Sequence, residues 1–215
     1  HQNFAFGGLY GCCACIASAG IAIFPLCAVL KEDTGFTVNS FLAGVIEETT
    51  PGGQAVTLTA ESTYPAEGAW KCTLELEMPE AFTLKLRIPA CYEDPQILLN
   101  GKSVTLPETG YLVLNETWHN GDTLEFKAQP ALKVLQLGGR TAFTYGSLVL
   151  ARDAEKEGGA DLEEELTPVT ENGKLQYSLA QPEHKYGEQV RIYVNLANGK
   201  QLLLTDFASC GKKWL

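Results

Sequence analysis

From Phe36 onward, apolar and polar residues alternate with a period of two, and this limits what the chain can fold into more than any other feature. Val56 and Leu58 are separated by threonines. Cys72, Leu74, Leu76 and Met78 alternate with Thr73, Glu75 and Glu77, and Phe82, Leu84, Leu86 and Ile88 alternate with Thr83, Lys85 and Arg87. Successive side chains of a strand point to opposite faces, so each run reads as a strand with one buried face and one wet face. Turn sequences divide the runs: Pro51-Gly52-Gly53, Asn100-Gly101 and Asn120-Gly121-Asp122. Asn-Gly supplies the left-handed backbone that a tight hairpin needs. Short alternating strands between such turns predict a mainly β chain built as an antiparallel β-sandwich.

The strand pattern continues through Ala131–Leu137 and Ala142–Leu150. Residues 152–165 then carry seven acidic side chains with Gly158 and Gly159 among them, which reads as a solvated segment and a boundary. Beyond it, Leu175–Leu179, Val190–Leu196 and Gln201–Phe207 are strand-like, with Asn172-Gly173 and Asn198-Gly199 as turns. The expected organisation is therefore a sandwich over residues 32–152 and a second small β unit, or a completion of the first, over 153–215. With 45% hydrophobic residues in 215, a full core can form. The formal net charge of -10 argues against nucleic acid and against an anionic membrane surface as partners.

The N-terminal stretch is of another kind. No Asp, Glu, Lys or Arg occurs from His1 to Leu30, and Cys12–Leu30 is almost continuously apolar or small. The length approaches that of a membrane span, but Ala, Gly and Pro25 abound and no positive charge flanks it. A signal peptide would want a basic start, which His1-Gln2-Asn3 lacks. The preferred reading is a helix, within residues 1–31, that is buried on all sides in a larger helical domain. Such a helix needs neighbours that residues 32–215 do not offer.

Its first residues hold three of the seven cysteines, in Gly11-Cys12-Cys13-Ala14-Cys15. Adjacent cysteines do not easily close a disulfide, because their Cα atoms are too close. Clustered thiols suit metal ligation or nucleophilic attack. Cys12 and Cys15 have C-x-x-C spacing, but the second half of a zinc ribbon is absent, and His1, His119 and His184 are scattered. On spacing alone, metal binding, redox chemistry and plain packing of small side chains all remain open. The odd, uneven cysteine set suits a reducing compartment, read here as the cytoplasm of a bacterium.

Several stretches together resemble glycoside hydrolase family 127, the β-L-arabinofuranosidases, and its relative family 146. Gly11-Cys12-Cys13 opens the apolar helix. Phe82–Pro89 is similar to the family's LRIP strand. Leu99-Asn100-Gly101-Lys102, Gly110-Tyr111-Leu112 and Trp118–Asp122 follow its NG, GY and W…GD order, and Tyr145–Ala151 resembles its GPLVLA strand with Ser147 for proline. Ile16 stands where the family often has asparagine, and Cys15 is additional.

The resemblance implies an (α/α)6 toroid followed by β-sandwiches, with the vicinal cysteines late in the toroid. It makes Cys12 the nucleophile and puts Cys12 and Cys13 on a zinc ion, the other ligands and a glutamate acid/base coming from upstream. The expected function is thus the C-terminal part of a retaining hydrolase acting on non-reducing-end β-L-arabinofuranosides in an oligosaccharide or glycan. This chain alone would be inactive without the upstream helical domain. Two other readings compete: a non-catalytic β-sandwich that binds carbohydrate or assists assembly, and a β domain anchored by residues 12–30. Tyr64 and Trp70 read as sandwich core more readily than as a sugar platform.

Overall fold

A computed structural model describes residues 11–108, 110–138, 140–153, 166–183 and 187–210, with the backbone alone for residues 11–14. It consists of two compact units, residues 2–129 and residues 130–215. The single α-helix among the described residues, α1, spans Gly11–Leu26. Pro25 lacks the N–H that would continue the helical ladder, and the helix ends one residue later. A short turn through Cys27 and Ala28 leads straight into β1 (Val29–Glu32). The predicted helix therefore stops short of Leu30. Val29 and Leu30 belong to a strand, and the apolar run had hidden that change of period.

The first unit is a sandwich of two sheets. One has the order β1-β2-β6-β9, with β2 Gly35–Val38, β6 Glu80–Arg87 and β9 Tyr111–Trp118. The other has the order β3-β4-β5-β10-β7-β8. Its strands are β3 Gly44–Thr49, β4 Ala55–Ser62, β5 Gly68–Leu76, β7 Tyr92–Leu99, β8 Lys102–Val104 and β10 Thr123–Pro130. Burial alternates residue by residue along β5 and β6, as the sequence requires. The inward rows meet in a core that includes Phe36, Leu74, Leu84, Leu86, Ile97, Trp118 and Phe126, each at most 1% exposed. Each such side chain contributes roughly 1.5–3 kcal/mol by leaving water.

One pairing departs from the expected antiparallel pattern: β2 lies parallel to β6, with Phe36 opposite Leu84. Gly35 makes this possible. Its φ is +151°, and a Cβ there would lie 1.9 Å from the Thr83 carbonyl oxygen. Only a residue without a side chain lets the two backbones approach so closely.

The second unit is built on a six-stranded sheet of order β11-β12-β13-β18-β17-β16 and a two-stranded ribbon β14-β15. The strands are β11 Leu132–Leu137, β12 Arg140–Tyr145, β13 Leu148–Ala151, β14 Thr170–Glu171, β15 Lys174–Leu175, β16 Tyr177–Ala180, β17 Arg191–Asn195 and β18 Gln201–Asp206. The boundary thus falls at residue 130 and not after residue 152. Leu150 and Ala151 of β13 pair with Asp206 and Thr205 of β18, so the strands before and after the acidic stretch share one sheet. Residues 154–165 of that stretch lie outside the described ones. Glu188 is buried, but both its carboxylate oxygens accept from Arg191, at 3.1 and 3.0 Å. That pairing answers the cost of burying a charge.

Candidate functional site

The two cysteines singled out by the sequence, Cys12 and Cys13, lie at the start of α1, and their side chains are outside the described ones. Cys15, one turn on, and Cys27, just past the helix, are exposed free thiols. The described side chains of α1 are exposed along the helix: Ile16, Ile21 and Leu26 are 74%, 75% and 73% open. The expectation that this helix is buried on all sides is therefore not met within this chain, which leaves an uncovered apolar surface on α1.

Cys72 is a different kind of cysteine. It is buried in the sandwich, and desolvation pushes its thiol up to about 12. A thiol so placed is inert. It lines an apolar cavity of about 180 Å³ together with Pro25, Ala28, Val38, Leu58 and Trp70.

Among the described residues, no three His, Cys, Asp or Glu side chains converge as a metal site. His119 is exposed beside Asp122, at 3.8 Å, while His1 and His184 are outside the described residues. The described side chains do not fit a zinc ion. The Cys12 and Cys13 side chains, the expected zinc ligands, lie outside the described ones. Carboxylates with displaced pKa values move the wrong way for a general acid. Thr50, Gln54 and Gly52 hydrogen-bond Glu80 and hold its carboxyl low. Lys85 and Thr37 do the same for Glu32. A general acid needs its proton held at neutral pH.

The stretches that carried the family resemblance are structural. Asn100 donates from Nδ2 to Asp122 Oδ1 at 2.9 Å and accepts from Thr123 N–H at 2.8 Å. Asp122 Oδ2 accepts from His119 N–H at 2.7 Å. The NG and GD turns thus lock each other. Trp118 is fully buried and donates from Nε1 to the Phe82 carbonyl at 2.9 Å. Trp70 is also buried and donates to the Leu42 carbonyl at 3.2 Å, and Tyr64 packs on the same core. Trp70 and Tyr64 thus belong to the core, as expected, and so does Trp118. Tyr111 of the GY stretch was not singled out for a role. Its hydroxyl donates to Asn39 Oδ1 at 2.6 Å.

Comparison with known proteins places this sandwich. Residues 35–129 match the sequence profile described as "Beta-L-arabinofuranosidase, GH127 middle domain". A GH127 beta-L-arabinofuranosidase from Geobacillus stearothermophilus T6 has a similar structure, with TM-score 0.75 at 18% identity, over 92% of this chain and 35% of its own. A structure described as a glycoside hydrolase gives 0.67 at 18% identity, over 100% of this chain and 42% of its own. A GH127 beta-arabinofuranosidase gives 0.66 at 19% identity, over 85% and 33%. At these identities the structural likeness speaks for the fold. The chain spans 33–42% of the length of these proteins. No curated protein matches it in sequence. What the comparisons show is a sandwich whose residues 35–129 match the middle domain of the GH127 β-L-arabinofuranosidases, in a chain that shares its fold with part of such proteins.

Proposed function

We propose that this chain is the C-terminal part of a retaining glycoside hydrolase that removes β-L-arabinofuranosyl units from the non-reducing ends of oligosaccharides or glycans. The observation that carries the reading is the order of two features: a helix opening on Gly11-Cys12-Cys13, then a GH127 middle domain over residues 35–129. Cys12 is the nucleophile. Its thiolate attacks the anomeric carbon, and the leaving oxygen takes a proton from a carboxylic acid supplied by a helical domain upstream of residue 11. The same carboxylate then removes a proton from water. The water oxygen attacks the anomeric carbon, and the C–S bond breaks to return the thiolate. Cys13, with Cys12, would hold a zinc ion, which would lower the thiol pKa.

The uncovered apolar surface of α1 supports a helical domain packed around it. The partner of this chain on that reading is the helical domain, and the chain alone is inactive. The test is Cys12→Ala in a protein that includes the upstream domain, assayed on an aryl β-L-arabinofuranoside. Turnover is expected to fall by at least about three orders of magnitude with an unchanged circular dichroism spectrum. A wild-type rate would overturn the assignment.

A further inference from the structure

Among the described residues, the helix that bears the cysteine pair meets its sandwich at its C-terminal end, and the turn there is fastened by a specific set of hydrogen bonds. The last carbonyls of any α-helix have no intrahelical partner and must find one. In α1 they are closed locally, Ile23 and Phe24 accepting from the Cys27 N–H and Pro25 from the Ala28 N–H, and the two carbonyls that follow the helix are held by the chain just after β2. The Ala28 carbonyl, in the turn that ends α1, accepts from the backbone N–H groups of Asn39 and Ser40 at 2.8 and 3.2 Å. The Cys27 carbonyl accepts from Asn39 Nδ2 at 3.2 Å. Asn39 is in turn held from its other side-chain atom, because Tyr111 Oη donates to Asn39 Oδ1 at 2.6 Å. Ala28 is buried, and Val29 packs against the sandwich core and opens β1 opposite Val38. By contrast, residues 15–26 of α1 are exposed. The direction in which α1 leaves the sandwich is thus set at Cys27–Ala28.

We propose that Asn39 and Tyr111 are positioning residues for the cysteine pair: by fastening the C-terminal end of α1 to the β1-β2-β6-β9 sheet, they fix where Cys12 lies. The proposal rests on the reading of Cys12 as nucleophile. Its lever is long. At 1.5 Å rise per residue, Cys12 is about 20 Å from the fastened end, so a tilt of about 3° displaces it by about 1 Å. A misplacement of that size at a reacting atom can lower a rate by roughly a hundredfold. The Asn39 side chain matters because it is used from both ends, as donor to the Cys27 carbonyl in the turn that follows the helix and as acceptor from Tyr111. Aspartate at position 39 keeps the acceptor and loses the donor, so Asn39→Asp separates the two roles. Tyr111→Phe removes one hydroxyl from a partly exposed ring and leaves the fold intact.

Two measurements test it. The first is made on the 215-residue chain: backbone 15N order parameters for α1 relative to β6. In Asn39→Ala and Tyr111→Phe, the α1 amides are expected to lose order while β6 is unchanged. Order parameters identical to wild type in both variants would overturn the proposal. The second is steady-state kinetics of the same variants in a protein that includes the upstream helical domain. The expected result is a fall in kcat of roughly tenfold or more with KM within about twofold, largest in Asn39→Ala. Unchanged kcat in both variants would also overturn it. Full activity in Cys12→Ala would instead remove the reading of Cys12, with the order parameters still deciding whether the fastening orients the helix.

Discussion

Trp118→Phe is the substitution that separates a structural tryptophan from a sugar-binding one. The side chain is 0% exposed and its ring centroid lies 5.9 Å from that of Phe82. Its Nε1 donates to the Phe82 carbonyl at 2.9 Å, tying β9 to β6 through a side chain as well as through the ladder. Phenylalanine keeps a ring in the core but lacks the donor. Losing one hydrogen bond in a dry site costs about 1–2 kcal/mol. The smaller ring leaves unfilled volume that adds about 1 kcal/mol. The first unit is thus expected to lose about 2–3 kcal/mol. Because the chain has two units, a global melt would mix them, and local hydrogen exchange is the better assay. The slowest amides of β6 and β9 report the opening free energy of this sandwich directly. A change below about 0.5 kcal/mol would refute the reasoning, since Trp118 would then be holding nothing that phenylalanine cannot.

Three further outcomes follow from the titratable groups. Iodoacetamide at pH 8 is expected to modify Cys15 and Cys27 in the folded chain and to spare Cys72 until it unfolds, as read by peptide mass; comparable labelling of Cys72 would contradict its burial. Because folding raises the Cys72 thiol from 9.0 to about 12, its contribution to stability is complete below about pH 9 and is lost as pH climbs toward 12. Cys72→Val is expected to flatten that alkaline limb in thermal melts. Glu80 behaves in the opposite sense. Its carboxyl is held below 4.5 by Thr50, Gln54 and Gly52, so its contribution is present above that value and is lost as pH falls through its lowered folded pKa. Glu80→Gln is expected to show a smaller loss of melting temperature between pH 5 and pH 3 than wild type, and an equal loss would refute it.

The strands were legible because alternation is a local property with one physical cause, a sheet with one dry face. Val56–Leu58, Cys72–Leu76 and Phe82–Leu86 all turn the predicted side inward. The Asn-Gly turns were legible for the same reason, and Asn100 and Asn172 do adopt the positive φ that their dipeptides suggest. What escaped depends on residues far apart in sequence. The parallel β2–β6 pair needs Gly35 against Thr83, and nothing near Gly35 signals that encounter. The unit boundary at residue 130 depends on β13 meeting β18 across the acidic stretch, and acidity alone pointed to a break there. The helix end was obscured because Val29 and Leu30 are apolar in both readings.

The site divides along the same line. The stretches most useful for recognising the family, NG, GD and the Trp118 segment, are mutual hydrogen-bond locks between turns and strands. They belong to the scaffold, so of the stretches that carry the family resemblance only Gly11-Cys12-Cys13 bears on the proposed chemistry. The proposed chemistry falls to Cys12 and Cys13, which the sequence flags by crowding and to which the family resemblance gives their roles. Between the two stands Tyr111, in a stretch that resembles the family and on a hydrogen-bond path to the end of the cysteine-bearing helix. On the proposed reading the helical domain covers the sides of α1, and the sandwich holds the turn at its C-terminal end. The proposed contribution of the sandwich is then positional: it supplies a fixed end for the helix that bears the cysteine pair.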